Sequence, residues 1–247
     1  MHLHPHLHLH LHLHLHLHNG SLAPCRALQV VPVVNASSPS FFQPVALAHA
    51  SRLINHGPTV LVTSADGARR NVMAAAWSMP VEFSPPRIAV VIDKHTHTRE
   101  LVMASGGFAL CIPGAAAADL VYTVGNESGR EHDKFARLGI AARPGPVLGM
   151  PLIEQGCVAW LECRLIPEPH TEAAYDTCFA EVVAAAADAR VFSQGRWHVA
   201  DEAPALHTLH YLGAGRFLRV SGAIQARHLD RADRVGGVGD VEGADPA

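Results

Sequence analysis

Four side chains that could bind an anion lie between Lys94 and Arg99, in the stretch DKHTHTRE. Lys94 and Arg99 supply positive charge, and Thr96 and Thr98 supply hydroxyl groups. The stretch follows a predicted β-branched strand, Arg87 to Asp93, and precedes a predicted helix. Helix N-termini and charge-assisted hydrogen bonds both favour anions such as phosphate. These residues therefore predict an anion site, with a helix cap flanked by two solvated charges as the alternative.

A run of small residues, NVMAAAWS from Asn71 to Ser78, precedes this candidate anion site. Ala74, Ala75 and Ala76 place little side chain above the backbone, so a flat ligand could approach main-chain N–H and C=O groups. Trp77 follows them directly. The run predicts a wall along a planar ligand, and the alternative is an ordinary sheet strand in which Trp77 belongs to the core.

These two stretches are parts of a longer pattern. In chain order, the pattern consists of NVMAAAW at 71–77, SPP at 84–86, KHTHTR at 94–99, SGR at 128–130 and DKF at 133–135. In order and spacing it resembles the flavin reductase-like family of FMN-binding split barrels, from about Phe42 to about Arg227. The resemblance implies a mainly β protein with a few short helices, folded as an antiparallel split β-barrel. It also implies FMN as the cofactor, with FAD as the alternative.

The resemblance further implies which residues contact the flavin. The anion site would hold the phosphate, the wall would lie along the isoalloxazine ring, and the SGR and DKF segments would lie beside the cofactor. Relatives often carry Thr where this chain has Ala74, and the departure removes one side-chain hydrogen bond to the flavin. Asp133 is interpreted as a structural cap. The implied cofactor-binding residues are Asn71, Met73, Ala74, Ala75, Trp77, Ser78, Lys94, Thr96, His97, Thr98, Arg99, Ser128, Gly129, Arg130, Lys134 and Phe135.

The activity implied by the resemblance is that of an NAD(P)H-dependent flavin oxidoreductase, in which the flavin carries the chemistry. NADH or NADPH would supply hydride, and the electrons would pass to free flavin, a partner oxygenase or another acceptor. No protein nucleophile or general base is needed, so no catalytic residue is assigned. Members of the family form homodimers, and we expect a homodimer here. A non-enzymatic FMN electron carrier resembling flavoredoxin is the alternative.

Other classes of function find little support in the sequence. There is no GxGxxG after a predicted strand, and no GxxxxGK[ST], GxSxG or HExxH motif. The net charge of −3 offers no basic field for nucleic acid or a membrane surface, and no run of about 18 apolar residues predicts a membrane helix. The five cysteines are odd in number and lack CxxC spacing, which indicates reduced thiols. Together these features predict a cytoplasmic protein.

The N-terminal residues Met1 to His18 alternate His and Leu. A row of imidazoles could bind divalent metals, so a third hypothesis is a His-rich metal-binding protein with the barrel as scaffold. The preferred interpretation is a low-complexity extension without assigned metal ligands. We therefore expect a disordered tract and linker over residues 1–40, the split-barrel domain over 41–228, and a disordered tail over 229–247.

Short strands dominate the rest of the pattern, which favours an antiparallel barrel over a parallel α/β sheet. The stretch from Asn71 to Glu100 is predicted as two strands joined by Ser84-Pro85-Pro86 and followed by a helix. The alanine run in Thr177 to Ala187 suits either a strand or a helix. His207 and His210 fall on one turn of a possible helix. Further strands are predicted at 59–64, 108–112, 157–165 and 217–221, and helices at 45–55, 98–104, 115–124 and 134–138.

Overall fold

A computed structural model describes residues 40–199 and 202–227. The His/Leu tract and the C-terminal tail lie outside the described residues. The strands are β1 (Phe42–Pro44), β2 (Val60–Asp66), β3 (Arg69–Ala75), β4 (Ser78–Phe83), β5 (Pro86–Val91), β6 (Gly107–Pro113), β7 (Arg143–Pro144), β8 (Pro151–Leu152), β9 (Cys157–Ile166), β10 (Thr177–Asp188), β11 (Phe192–Ser193), β12 (Arg196–Trp197), β13 (Leu209–Gly213) and β14 (Arg216–Arg219). The α-helices are α1 (Leu47–Ala50), α2 (His97–Ser105), α3 (Ala118–Asn126), α4 (Lys134–Leu138) and α5 (Pro169–Tyr175). The predicted mainly β class with a few short helices is confirmed.

Eight strands form one antiparallel sheet. Its hydrogen-bonded order is β3-β2-β6-β9-β10-β5-β4, and β1 pairs with β10 beside this path. Three further strand pairs, β7-β8, β11-β12 and β13-β14, lie outside it. Every pairing in the sheet is antiparallel, as predicted.

The two end strands of this order, β3 and β4, are separated in the chain only by Ala76 and Trp77. Because neighbouring Cα atoms are about 3.8 Å apart, this short link holds the end of β3 close to the start of β4. The sheet must therefore curl until its two ends approach each other, although β3 and β4 form no ladder. The result is a barrel that is split between β3 and β4, which confirms the predicted split barrel.

The stretch 71–100 differs in one respect from the prediction. It contains three strands instead of two, because β3 ends at Ala75 and β4 begins at Ser78. The cis peptide bond Ser84-Pro85 then turns the chain from β4 into β5. The strand break could not be predicted at Ala76 and Trp77, because neither residue type favours turns.

Two other ambiguous stretches are strands. The alanine-rich β10 pairs with β5 and β1 on one side and with β9 on the other, so its backbone hydrogen bonds go to the sheet. The prediction of a helical turn across His207 and His210 is wrong, because β13 begins at Leu209 and pairs with β14. A helix at this position could not form the backbone ladder that joins the segment to β14.

Buried apolar side chains form two clusters, one of which includes strand residues such as Val62, Leu110 and Leu161. The other contains Val121 and Val124 of α3 and Phe135 of α4. The four cysteines within the described residues are buried free thiols, as predicted, and burial raises the pKa of Cys178 to about 11. None of the helices in residues 40–199 and 202–227 is long and apolar enough to cross a membrane.

Candidate active site

A cleft of about 290 Å³ opens between β3, the start of α2 and the loop that joins α3 to α4. It brings together segments that the sequence places more than fifty residues apart. Ten of the sixteen predicted cofactor-binding residues line it, namely Asn71, Met73, Ala74, Thr96, His97, Thr98, Ser128, Gly129, Arg130 and Lys134.

The N-terminus of α2 forms one side of this cleft. Thr96 is the N-cap residue, and its Oγ1 accepts a hydrogen bond from the Arg99 N–H at 3.2 Å. Gly106 ends the helix in the left-handed conformation, with a φ of 71°. These local signals determine where the helix begins and ends, and its positive end lines the cleft with Thr96, His97 and Thr98. The arrangement suits an anionic group.

Asn71 joins the β3 side of the cleft to α2. Its side chain is only 3% exposed, and its Nδ2 donates to Thr98 Oγ1 at 2.9 Å. Its Oδ1 is buried and has no hydrogen-bond partner among the described residues. A buried polar atom without a partner costs free energy that a donor on a ligand can recover.

The small residues of β3 allow the neighbouring helix to come close. A Cβ added at Gly125 of α3 would lie 3.3 Å from the Cβ of Ala74. A larger side chain at position 74 would press against this helix turn. The alanine at position 74 therefore has a packing reason in this fold.

Lys134 supplies a positive charge at the base of the cleft. The side chain is 1% exposed, and Nζ donates to the carbonyl oxygens of Val72 at 2.8 Å and Val124 at 2.7 Å. Burial lowers the pKa of Lys134 to about 8, and the charge of the nearby Glu127 carboxylate offsets only part of this effect. At pH 7 the group keeps most of its charge.

Arg130 provides the second cation of the cleft. It is exposed, and its Nη1 donates to the His95 carbonyl oxygen at 2.7 Å, while Nη2 lies 3.6 Å from Glu100 Oε2. The carboxylate of Glu127 also lines the cleft, but it already pairs with Arg137 at 2.8 Å. Two cations, Arg130 and Lys134, and one carboxylate line the cleft, so positive charge is in excess there.

Asp133 acts as the cap of α4, as predicted. Its Oδ1 accepts hydrogen bonds from the N–H groups of Phe135 at 2.8 Å and Ala136 at 3.3 Å. Its Oδ2 accepts from Arg70 at 3.1 Å. These contacts hold the start of α4, and with it Lys134, against β3.

Arg99 does not face the cleft, which corrects its expected role at a phosphate. The side chain is 6% exposed, and Nη1 donates to the Ile92 carbonyl oxygen at 3.0 Å and to Cys178 Sγ at 3.1 Å. Nη2 donates to the Glu172 carbonyl oxygen at 3.2 Å. The guanidinium group therefore ties α2 to β10 and α5. The alternative, a helix cap flanked by two solvated charges, is wrong for Arg99 but holds for the cap residue Thr96 and the exposed Lys94.

Five other predicted residues also lie outside the lining of the cleft. Lys94 is exposed, and its Nζ donates to the Ala173 carbonyl oxygen at 3.1 Å. Ala75 and Phe135 are buried in the two apolar clusters. Trp77 is 73% exposed instead of lying in the core, and Ser78 begins β4.

Sequence reasoning missed five residues that line the cleft, namely His95, Val124, Gly125, Asn126 and Glu127. The helix predicted at 115–124 ends two residues too early, because α3 continues to Asn126. Val124 to Glu127 directly precede the SGR segment in the chain, and this position is the signal that could have identified them. Among the described residues, no group of three or more His, Cys, Asp or Glu side chains could hold a metal ion.

Comparisons with known proteins agree with this geometry. Residues 52–210 match the family model described as a flavin reductase like domain. An uncharacterised Escherichia coli (strain K12) protein, YddH, is 58% identical over 181 residues, which are 72% of this chain and 95% of that protein. The FMN-binding domain of a flavin reductases-like enzyme from Shewanella baltica OS155 is 39% identical with a TM-score of 0.70, covering 75% of this chain and 97% of that one. Flavoredoxin of Desulfovibrio vulgaris (Miyazaki F) is 25% identical with a TM-score of 0.60, covering 71% and 92%.

Proposed function

Because the chain belongs to the flavin reductase-like family, we propose that it is an NAD(P)H-dependent flavin oxidoreductase with FMN as its cofactor. FAD is the alternative cofactor. Electrons from NADH or NADPH would pass through the bound flavin to free flavin, a partner oxygenase or another acceptor. The observation that carries the proposal is the cleft, in which small residues of β3 face hydroxyl groups and cations.

The residues of the cleft fit an anionic, planar cofactor. The positive end of α2, with Thr96 and Thr98, would hold the phosphate, and Arg130 would add a charge-assisted hydrogen bond at the mouth. The unpartnered Oδ1 of Asn71 offers an acceptor to a ligand hydroxyl or N–H group. The donor set therefore matches a phosphate joined to a ring that has its own polar edge.

A bound flavin supplies the redox chemistry, because it accepts hydride and releases electrons. The chain itself binds and orients the cofactor. Lys134 places positive charge beneath the cleft, and positive charge favours the reduced flavin, which carries more negative charge than the oxidised form. No side chain has to gain or lose a proton for the hydride to move.

An anaerobic titration tests the activity. The purified full-length protein is loaded with FMN, and NADH or NADPH is added while the visible flavin absorbance is recorded. We expect the absorbance to bleach with at least one nicotinamide, at a rate above that of free FMN under the same conditions. A flavin band that stays unchanged with both nicotinamides contradicts the reductase proposal, and failure to retain any FMN contradicts the cofactor.

A second candidate is a non-enzymatic electron carrier that exchanges electrons with a protein partner. It is supported by the similarity to flavoredoxin and by 32% identity over 106 residues to a high molecular weight rubredoxin from Moorella thermoacetica. The same titration separates the two candidates. An electron carrier would bind FMN and bleach with dithionite but not with NADH or NADPH.

We also propose that the protein is a homodimer. An apolar stripe, defined as Trp77, Met79 and Val81, runs from the link between β3 and β4 along edge strand β4, and these side chains are 73%, 58% and 46% exposed. Contiguous exposed apolar side chains on an edge strand favour association. A second copy that covers the stripe would lie close to β3, since Trp77 is only two residues after the end of that strand.

The proposed place of action is the cytoplasm. All four described cysteines are buried free thiols. Reduced thiols suit a reducing compartment. Fractionation of cells that express the untagged protein, followed by immunoblotting, tests this placement.

A further inference from the structure

A second cavity, of about 380 Å³, lies between the β11–β12 hairpin and the 3-10 turn that follows α1. It shares no lining residue with the candidate flavin cleft. The residues that matter for its chemistry are Ser51, Arg52, His56, Phe83, Arg196 and Trp197.

Positive charge in this cavity is not balanced by carboxylates. Arg52 and Arg196 line it, and none of its lining residues is acidic. Neither arginine forms an ion pair within residues 40–199 and 202–227. Arg52 is oriented by the hydrogen bond from its Nη1 to the Gly195 carbonyl oxygen at 3.0 Å. Two guanidinium groups without a carboxylate partner favour a carboxylate or phosphate ligand.

Aromatic side chains line the same cavity. The Trp197 ring is held in place, because its Nε1 donates to the Arg52 carbonyl oxygen at 2.9 Å and the ring meets His56 edge to face at 5.1 Å. Phe83, at the end of β4, is largely exposed. A fixed indole ring beside an exposed phenyl ring offers a surface on which a flat ring can stack.

Polar atoms without partners add directional contacts. Ser51 is 1% exposed, and its Oγ is buried without a hydrogen bond to any described residue. His56 Nε2 lies 2.8 Å from Thr208 Oγ1, whereas its Nδ1 has no partner among the described residues. Burial and the nearby His210 lower the pKa of His56 to about 4, so the ring is neutral at pH 7. A ligand oxygen could satisfy one or both of these atoms.

We infer that this cavity binds an organic anion that carries a ring, with the carboxylate or phosphate between Arg52 and Arg196 and the ring against Trp197 and Phe83. An aromatic carboxylate and an aryl or nucleotide phosphate share this chemistry. The inference does not depend on flavin binding, because the two cavities have no residue in common.

Calorimetric titration of the purified full-length protein, with and without added FMN, tests the inference. The probes are benzoate, phenyl phosphate, inorganic phosphate and benzyl alcohol. We expect benzoate or phenyl phosphate to bind saturably, and the tighter of the two identifies the preferred anion. Inorganic phosphate lacks the ring and benzyl alcohol lacks the charge, so each is expected to bind at least about tenfold more weakly.

Substitutions then place the binding in this cavity. Arg196 makes no side-chain hydrogen bond among those described, so Arg196→Gln is expected to fold and to weaken binding of the preferred probe about tenfold. Arg216→Gln removes an exposed charge from β14 and serves as the matched control, with an expected change below about twofold. Ser51→Ala, which keeps the local volume, should weaken binding by a smaller factor of about fivefold.

Three results would overturn the inference. The first is the absence of saturable binding by either ring-bearing anion at millimolar concentration. The second is an equal effect of Arg196→Gln and Arg216→Gln. The third is displacement of bound FMN by the probe, which would place the anion in the flavin cleft instead. A protein that binds the probe but retains no FMN would contradict only the proposed function.

Discussion

Gly129 approaches the side chain of Asn71 so closely that a Cβ at position 129 would lie 2.2 Å from Asn71 Oδ1. Distances below 3.0 Å between such atoms are essentially never found, so one of the two groups would have to move. The glycine thereby lets the 128–130 loop close over β3. The SGR segment owes its glycine to this contact, because no positive φ is required there.

Gly129→Ala is therefore expected to push Asn71 out of its position and to weaken FMN binding about tenfold, which corresponds to about 1.4 kcal/mol. Fluorescence titration with FMN measures the effect. The matched control is the same substitution in an Asn71→Ala background, where the smaller side chain leaves room for the new methyl group. If Gly129→Ala costs the same affinity in both backgrounds, the close contact is not the cause.

Arg99 is expected to stabilise the fold without contributing to flavin binding. Arg99→Met removes buried hydrogen bonds to Ile92, Glu172 and Cys178 and should lower the free energy of unfolding by about 3 kcal/mol. Urea denaturation measures this loss. Arg87→Met, at an exposed position of β5, should change it by less than about 0.5 kcal/mol.

The affinity of folded Arg99→Met for FMN decides between the two roles of this residue. A structural arginine predicts a change below about threefold. A large loss of affinity with little loss of stability would instead restore the phosphate role that the sequence suggested.

Local signals explain most of what could be predicted from the sequence. The start of α2 at the cap residue Thr96, its end at Gly106 and the extent of α4 all follow from short-range chemistry. The Asp66-Gly67 turn between β2 and β3 is of the same kind, with Gly67 at a φ of 59°. Each of these features depends on neighbours only a few residues away.

What could not be predicted depends on distant residues. The direction of the Arg99 side chain is set by acceptors near Cys178, which is 79 positions along the chain. Gly125, near the end of α3, comes close to Ala74 of β3, and no local pattern reveals this approach. Four of the six predicted residues outside the cleft are explained by two features. Ala75, Trp77 and Ser78 lie at the break between β3 and β4, and the Lys94 side chain is turned towards α5 by its hydrogen bond to the Ala173 carbonyl oxygen.

Lys134 is expected to make FMN binding depend on pH. Its pKa in the folded protein is about 8, so the ammonium group loses its charge as the pH rises from 7 to 9.5. The affinity for the anionic cofactor should fall over this range by roughly threefold to tenfold. Lys134→Met should remove this dependence, whereas Lys94→Met, which removes an exposed charge outside the cleft, should keep it.

The stability of the FMN-free protein should change in the opposite direction. An unfolded lysine has a pKa of about 10.4, so between pH 8 and that value the unfolded chain binds more protons than the folded one. The free energy of unfolding should therefore rise across this window. Lys134→Met should flatten the rise, and an unchanged slope would contradict the lowered pKa.

The apolar stripe gives a test of the homodimer. Met79→Lys places a charge in the centre of the stripe, and it should raise the dissociation constant of the dimer at least about tenfold. Analytical ultracentrifugation over a dilution series measures this constant. Met103→Lys introduces the same side chain at an exposed position of α2 outside the stripe. Equal effects of the two substitutions would place the interface elsewhere.

His56 should make the folded state sensitive to mild acid. Because burial lowers its pKa to about 4 in the folded protein, against about 6.5 in the unfolded chain, the unfolded chain binds the extra proton between these values. The free energy of unfolding should therefore fall as the pH decreases from 6.5 towards 4. The full loss is of the order of 3 kcal/mol. Urea denaturation between pH 7 and pH 4.5 follows it.

The contribution of His56 is isolated by the difference in slope between variants, since carboxylates also titrate near the acid end of this range. His56→Gln can keep a hydrogen bond to Thr208 but has no titrating group, so its stability should decline less steeply than that of the wild type. His170→Gln, at an exposed position of α5, should retain the wild-type slope. If His56→Gln and His170→Gln show the same pH dependence, the buried imidazole is not the group that destabilises the fold in acid.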